Sequence, residues 1–510
     1  MMTSIGIFRR RYLSNLLAIV LAVSGLQAIA ISSAPTASAL TWTNITGLTV
    51  RGNLNHIRTN NDGSVIGAVS KGQNNSNLGD LYLSRDSGAS WTTTTGNTYT
   101  SNGLYKLAIS GDGNLAIAGD DAYILRASYS GSAWSFSNRT WSNPTGSGTN
   151  QRCAGYGPNF NSFATSTNGS KWVAGARDEG CVYTSDNSGA DWSNSNVGGT
   201  NFGSAISADG TIRVTANSNG NIYRNSGSGW SAISTSGLPA STGWSNIACD
   251  STCTKMAIST YGGKIYTTSN SGANWSVGGS ANRNTVDLSM SLDGSVIAIT
   301  DGAEIYISKD LGATWSGEGQ TGKTWTGVSV SGDGTKIYAA ASDGTIRKAD
   351  IPPTISVACS GGGSFSIENN VVTTSTLNCA GAVVIPDGVT SIAANAFSRY
   401  NKLDDDERIT SVTIPNTVTA IGTGAFQDNR NVSSLTIGTA VTSIGNDAFN
   451  NLYGLTTLVI PGSVTTIGAR AFANVNLTSL TLNEGLVTIG NSAFLGNKLV
   501  TLVLHKLMAR

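Results

Sequence analysis

Histidine is almost missing: His56 and His505, far apart in the sequence, are the only two in 510 residues. No Ser-His-Asp set can be drawn from so distant a pair, and a histidine-rich metal site is excluded with it. Charge is equally scarce. There are 31 basic and 30 acidic residues, for a net charge of +1. A nucleic-acid footprint needs a clustered basic excess, which is absent. Only nine prolines occur, and no long apolar run follows the first forty residues. What fills the chain instead is glycine, 62 residues of it, with Ser, Thr and Asn crowded at the turns. Many short strands linked by polar glycine-containing turns give this composition.

Residues 1–39 read as a signal peptide. Arg9-Arg10-Arg11 supplies the positive region, Leu16 to Ile31 the apolar region, and Ala37-Ser38-Ala39 a small-x-small cleavage site. The mature chain is expected to begin near Leu40. A membrane anchor needs roughly 20 clean apolar residues, and this stretch is interrupted by Ser24, Gly25 and Gln27. Arg9 to Leu13 also resembles a twin-arginine export signal, although a basic start serves either export route. The expected location is extracellular or cell-surface, with no transmembrane segment after cleavage. Six cysteines in an exported chain point to disulfides. They fall into three local pairs: Cys153–Cys181, Cys249–Cys253 and Cys359–Cys379. Zinc would require CxxC pairs with histidine near them, and the spacings do not fit.

One motif recurs along the next three hundred residues. Ser84-Arg-Asp86-Ser-Gly88-Ala-Ser-Trp91 returns as Ser308-Lys-Asp310-Leu-Gly312-Ala-Thr-Trp315. Looser copies place Asn187, Gly189 and Trp192, then Asn270, Gly272 and Trp275, at the same spacing, and worn ones end at Trp134 and Trp230. Asp or Asn folds its side chain onto backbone N–H groups, Gly supplies a positive φ, and Trp opens the next strand. Each unit also has an earlier hairpin turn, at Asp62, Asp112, Asn168, Asp209, Asp250, Asp293 and Asp333. Most of these turns lie one four-stranded propeller blade apart, about 40 to 45 residues, and the early units run longer. The seventh unit stops after Ile346-Arg347 without a box. Leu40-Thr41-Trp42-Thr43 is an orphan strand of the right kind. The sequence therefore predicts a seven-bladed β-propeller over 40–350, closed by that strand.

These motifs resemble the BNR or Asp-box repeat families, which include sialidases, xyloglucanases, sortilin-type receptors and photosystem II assembly-factor propellers. The resemblance implies the fold but little about activity, since the fold hosts enzymes and receptors alike.

Ile351-Pro352-Pro353 breaks the pattern and opens a linker and disulfide-containing N-terminal cap over 351–384. From 385 to 510 phenylalanine recurs at Phe397, Phe426, Phe449, Phe472 and Phe494, each after alanine, with isoleucine five residues earlier. A period near 23 residues lies in the leucine-rich range of roughly 20 to 29. The L-x-x-L-x-I-P and I-x-x-x-A-F strings resemble the BspA-like leucine-rich repeats of bacterial surface proteins. Before the first repeat, the Cys359–Cys379 segment would cap the core. The far end has no polar cap, so the last coil is expected to meet a partner or to belong to a shortened gene product. Asp404-Asp405-Asp406-Glu407 reads as a solvated loop.

Catalytic motifs in the sequence are few and incomplete. Gly317 to Thr324 matches the P-loop pattern, but no strand-to-helix context surrounds it, so nucleotide is not expected. A sialidase resemblance would need an arginine cluster and an Arg-Ile-Pro element, and Arg51 and Arg58 lack that context. Asp120-Asp121 and Asp178-Glu179 are adjacent carboxylates whose side chains diverge on a strand. Cofactor, metal and catalytic residues are assigned to none. The Asp boxes are expected to hold turns, and binding is expected in long loops, Lys71 to Asp80 and Trp141 to Phe163. The second carries Arg152, Tyr156 and Phe160. The predicted function is an exported binding or adhesion protein that contacts protein or glycan through the propeller and repeat faces. Alternatives are a propeller-based glycoside hydrolase or lectin, and an envelope or photosystem-type assembly factor.

Overall fold

A computed structural model describes residues 40–71, 79–94, 103–119, 123–140, 159–177, 180–239, 243–260, 262–279, 282–400 and 409–505. All regular structure among them is strand, and no helix is long and apolar enough to cross a membrane. The chain divides into two compact units, Ala39–Ile351 and one that holds Pro352–Arg510.

The first unit is a propeller of seven four-stranded antiparallel sheets. Blade 1 runs from Asn53–Thr59 to Thr92–Thr93, and blade 2 from Lys106–Ile109 to Trp134–Thr140. Blades 3 and 4 begin with Phe160–Thr165 and Asn201–Ile206, and blades 5 and 6 with Trp244–Cys249 and Asp287–Met290. Blade 7 takes three strands from the end of the unit, Trp325–Val330, Lys336–Ala341 and Ile346–Asp350, and its outer strand, Thr43–Ile45, from the beginning. The pairing is antiparallel, with Thr43 opposite Lys348, Asn44 opposite Arg347 and Ile45 opposite Ile346. Radial repetition leaves each blade only short outer edge strands, such as Thr43–Ile45 and Thr92–Thr93. The closing strand starts at Thr43, three residues later than the sequence indicates. Leu40 and Trp42 instead pack, partly buried, on the core between blades 6 and 7.

The second strand of most blades is buried along its whole length, as in Trp172–Ala176, Met256–Thr260 and Ile297–Thr300. Neighbouring blades cover both of its faces, so apolar residues run on without alternation. Where these strands are sandwiched between neighbouring blades small side chains fit, and Ala68, Ala116, Ala174, Ala257 and Ala298 stand there fully buried. The seven hairpin turns then join into a ring of backbone hydrogen bonds. Asn61 N donates to Gly111 O (3.1 Å), Asp112 N to Thr167 O (3.0 Å), and Thr167 N to Ala208 O (2.8 Å). Ala208 N donates to Ser251 O (2.8 Å), Ser251 N to Leu292 O (2.6 Å), and Leu292 N to Gly332 O (2.8 Å). Asp333 N returns to Asn61 O (2.7 Å).

The second unit is a β-solenoid. A hairpin, Ile355–Ala358 with Ser364–Glu368, leads into Val371–Ser375, which starts a parallel ladder through Ser391–Ile392, Ala420–Ile421, Ser443–Ile444, Thr466–Ile467 and Thr488–Ile489. The opposite face is split into two three-stranded parallel sheets, between Ser434–Thr436 and Thr457–Ile460. Inside, Phe397, Phe426, Phe449, Phe472 and Phe494 stack at centroid spacings of 4.8, 5.4, 5.1 and 5.5 Å. Phe365 of the cap meets the first of them edge-on at 5.3 Å. Cys359 and Cys379 are disulfide-bonded beside it, with Cα atoms 5.4 Å apart. The residue two before each phenylalanine has positive φ (Asn395, Gly424, Asp447, Arg470 and Ser492).

Candidate functional site

Aligning the blades on their hairpin turns shows which side chains share a level of the central channel. Six residues before the turn residue stand His56, Lys106, Ser162, Gly203, Asp287 and Gly327 in blades 1, 2, 3, 4, 6 and 7, while the same count in blade 5 reaches the buried Trp244. Charged groups therefore collect on one side of this ring. The bidentate pair from Arg58 to Asp287 has its Nη1 at 2.8 Å from Oδ2 and its Nη2 at 2.9 Å from Oδ1. It reaches across blade 7, from blade 1 to blade 6. Gly327 lets blades 1 and 7 approach closely here: a Cβ there would lie 2.9 Å from Ile57 N and 3.2 Å from His56 Cα. Asp287 also accepts from Val328 N at 3.0 Å, while Arg58 Nη1 donates to the carbonyls of Ile57 (2.8 Å) and Val328 (3.1 Å).

Burial alone would raise the Asp287 carboxyl. The charge and the two hydrogen bonds of Arg58, with His56 close by, hold it well below the usual carboxylate range. His56 is 2% exposed, and its Nε2 stands 3.5 Å from Asp287 Oδ1 without hydrogen-bonding geometry. Burial and the charge of Arg58 push its pKa down to about 3, so the ring is neutral near pH 7. Burial also lowers the Lys106 ammonium, and Asp287 partly offsets that. The cluster has one carboxylate for two cations, and that carboxylate is fully engaged. It can tie blades together and attract an anion. A carboxylate held so far below the usual range does not exchange protons near neutrality, which is the requirement for general acid–base work. Further along the channel a cavity of about 190 Å³ opens, with Arg58 as the charged group in its lining.

A pH dependence follows from His56. The unfolded chain takes up its proton near 6.5 and the folded protein only near 3. Between those values the unfolded state binds the extra proton, so stability falls as pH drops from about 6.5 toward about 3. Above that window the group has no effect. His56→Gln is expected to remove up to one proton's share of the slope, at most about 1.4 kcal/mol per pH unit. Urea unfolding of both proteins at several pH values between about 4 and 7.5 measures it, and equal slopes would refute the assignment.

The recurring Ser-x-Asp-x-Gly turns repeat one geometry. Asp86 Oδ1 accepts from Ser84 Oγ (2.8 Å) and Ser90 N (2.8 Å), while Ser84 Oγ accepts from Gly88 N (2.8 Å). Ser308, Asp310, Gly312 and Thr314 reproduce these contacts at 2.8 to 2.9 Å. Asn187 accepts from Asp191 N (2.8 Å) and Asn270 from Asn274 N (3.0 Å) in the looser boxes. The indole N–H groups of Trp91, Trp192 and Trp315 donate to the carbonyls of Gly88, Gly189 and Gly312. Trp275 turns instead to Ser234 O at 3.3 Å. Apart from Trp275, these side chains spend their polar atoms within the turn. The residue before each glycine, Ser87, Ser188, Ser271 or Leu311, also adopts positive φ (56°, 61°, 59° and 53°), a feature without a residue signature.

The predicted binding loops fare differently. Arg152, Tyr156 and Cys153 lie outside the described residues, as do Asp120-Asp121, Asp178-Glu179 and Asp404 to Glu407. Phe160 is not a contact residue. It opens the inner strand of blade 3, is 3% exposed, and packs against Phe163 (5.0 Å) and Tyr183 (5.6 Å). An aromatic side chain there gains more between blades than in water. Cys249 and Cys253 are disulfide-bonded across the blade 5 turn, and Cys181 is disulfide-bonded as well. The P-loop-like string runs from strand Ser316–Gly317 to strand Trp325–Val330, with Lys323 paired to Asp343.

In the sequence alone His56 and Arg58 are candidates only for catalysis, without a supporting motif, and Lys106 and Asp287 carry no motif at all. Superimposing the seven units on their turns was the signal that would have put three of them in one column. Among known families, residues 366–501 match the BspA type leucine rich repeat region, in six copies. No curated protein matches the chain.

Proposed function

We propose that this is an exported binding protein of the Asp-box propeller type, whose solenoid presents the main contact face to protein or glycan at a cell surface. The observation that carries the reading is the outer face of the strands that form the split sheets. In-register positions there form columns of short hydroxyl side chains, Ser411 with Ser434 and Thr457 with Ser479 and Thr501. Where the ladder is interrupted a groove of about 500 Å³ opens, lined by Leu435, Thr436, Thr457, Val459, Pro461 and Asn483. Val459 is 56% exposed in it. A regular polar face with an apolar slot suits adhesion to a repetitive surface, as extended solenoid surfaces do elsewhere. The BspA-type match over this unit supports the same reading.

The test is binding of the full mature chain to a glycan array and to purified envelope proteins, in parallel with Val459→Arg. Saturable binding that the substitution abolishes, at unchanged melting temperature, supports the proposal. Hydrolysis of a glycoside from a substrate panel, lost on replacing one carboxylate, would overturn it.

A further inference from the structure

The geometry points to a processing site coupled to ring closure: we infer that cleavage between Ala39 and Leu40 creates an α-ammonium that Glu318 is placed to receive. Leu40 N donates to Glu318 Oε2 at 2.7 Å. Glu318 is only 4% exposed. Its other oxygen accepts from Ser316 Oγ at 3.2 Å, a neutral donor. Among the described residues no side-chain cation pairs with it. Arg347 donates to Gln320 Oε1 and Asn44 Oδ1, and Lys323 is paired with Asp343.

A carboxylate this buried and served only by neutral donors is costly to hold. In the uncut chain Leu40 N is a peptide N–H and carries no charge. Hydrolysis changes that nitrogen and little else. Water adds across the Ala39–Leu40 bond, Ala39 leaves as a carboxylate on the excised segment, and Leu40 keeps the amine. That amine is protonated near neutral pH. The same 2.7 Å contact then becomes an ion pair, a stronger class of hydrogen bond. The small-x-small string Ala37-Ser38-Ala39 immediately precedes the bond, as a signal-peptide-cleaving peptidase requires.

Position gives the pair its consequence. Leu40 packs against the core between blades 6 and 7, three residues before the strand that closes the ring. Glu318 follows the last strand of blade 6. The ion pair therefore staples the closing strand to the neighbouring blade, and only in the processed chain. A precursor that still carries its leader closes its propeller less firmly, which suits a chain that must cross a membrane before it locks. This inference does not depend on what the mature protein binds.

The experiment has two parts. Mass spectrometry of the exported chain is expected to find Leu40 at its N-terminus. Full-length chain starting at Leu40 is then compared with chain carrying Gly-Ser before Leu40, each with Glu318 and with Glu318→Gln. The extension is expected to lower the propeller's melting temperature by about 2–4 °C when Glu318 is present, and to have no effect beside glutamine. A mature N-terminus at another residue would overturn the inference. So would equal melting of the two start forms, or an equal loss in both backgrounds, which would mark the effect as steric.

Discussion

Asp287→Ala is expected to cost the propeller about 3–5 kcal/mol, the range for removing one partner of a buried ion pair. The loss is large because one carboxylate serves three elements. It neutralises Arg58 of blade 1, caps Val328 N of blade 7, and belongs itself to blade 6. Without it, the Arg58 guanidinium keeps only the Ile57 and Val328 carbonyls. Lys106 then faces a second cation with no counter-charge. The double variant Asp287→Leu with Arg58→Met is expected to lie closer to wild type, since it removes both charges. Denaturant unfolding of the three proteins measures the effect. A single variant as stable as wild type would mean that the pair does not tie blades 1 and 6.

Phe449→Ala is expected to destabilise the solenoid by about 3–5 kcal/mol. Phe449 is fully buried between Phe426 at 5.4 Å and Phe472 at 5.1 Å. A cavity there interrupts the one column that runs through every coil, and each coil depends on its neighbours. The two units are compact by themselves, so calorimetry should show a fall of roughly 10 °C in one transition and no shift in the other. A common shift of both transitions would show instead that the units unfold together.

How much of this was readable before the structure depends on the range of each interaction. The Asp-Gly turns, the boxes and the phenylalanine period were legible because their physics is local: a side chain folding onto its own backbone, or one residue type at every turn of a repeat. Closure of the ring was legible too, because an orphan strand at one end matched a missing strand at the other. Its exact start was not, since Leu40 and Trp42 look as strand-like as Thr43 and are diverted by packing. Phe160 was misplaced for a similar reason, at the boundary between a long loop and a strand. The positive φ of Leu311 has no signal at all, because the surrounding turn imposes it. The charged cluster is the most instructive omission. His56, Lys106 and Asp287 are separated by whole blades, and only the shared level on the axis brings them together.

The central claim is that Thr43–Ile45 zips beside Ile346–Lys348 to complete the seventh blade. Asn44 and Arg347 are direct partners in that pairing, and Arg347 Nε donates to Asn44 Oδ1 at 3.0 Å. Asn44→Cys with Arg347→Cys, oxidised and mapped by peptide mass spectrometry, tests it most directly. The account predicts a cross-linked peptide joining residues 44 and 347 in high yield, with a raised melting temperature. Free thiols at both positions under conditions that oxidise the native cysteines would contradict it.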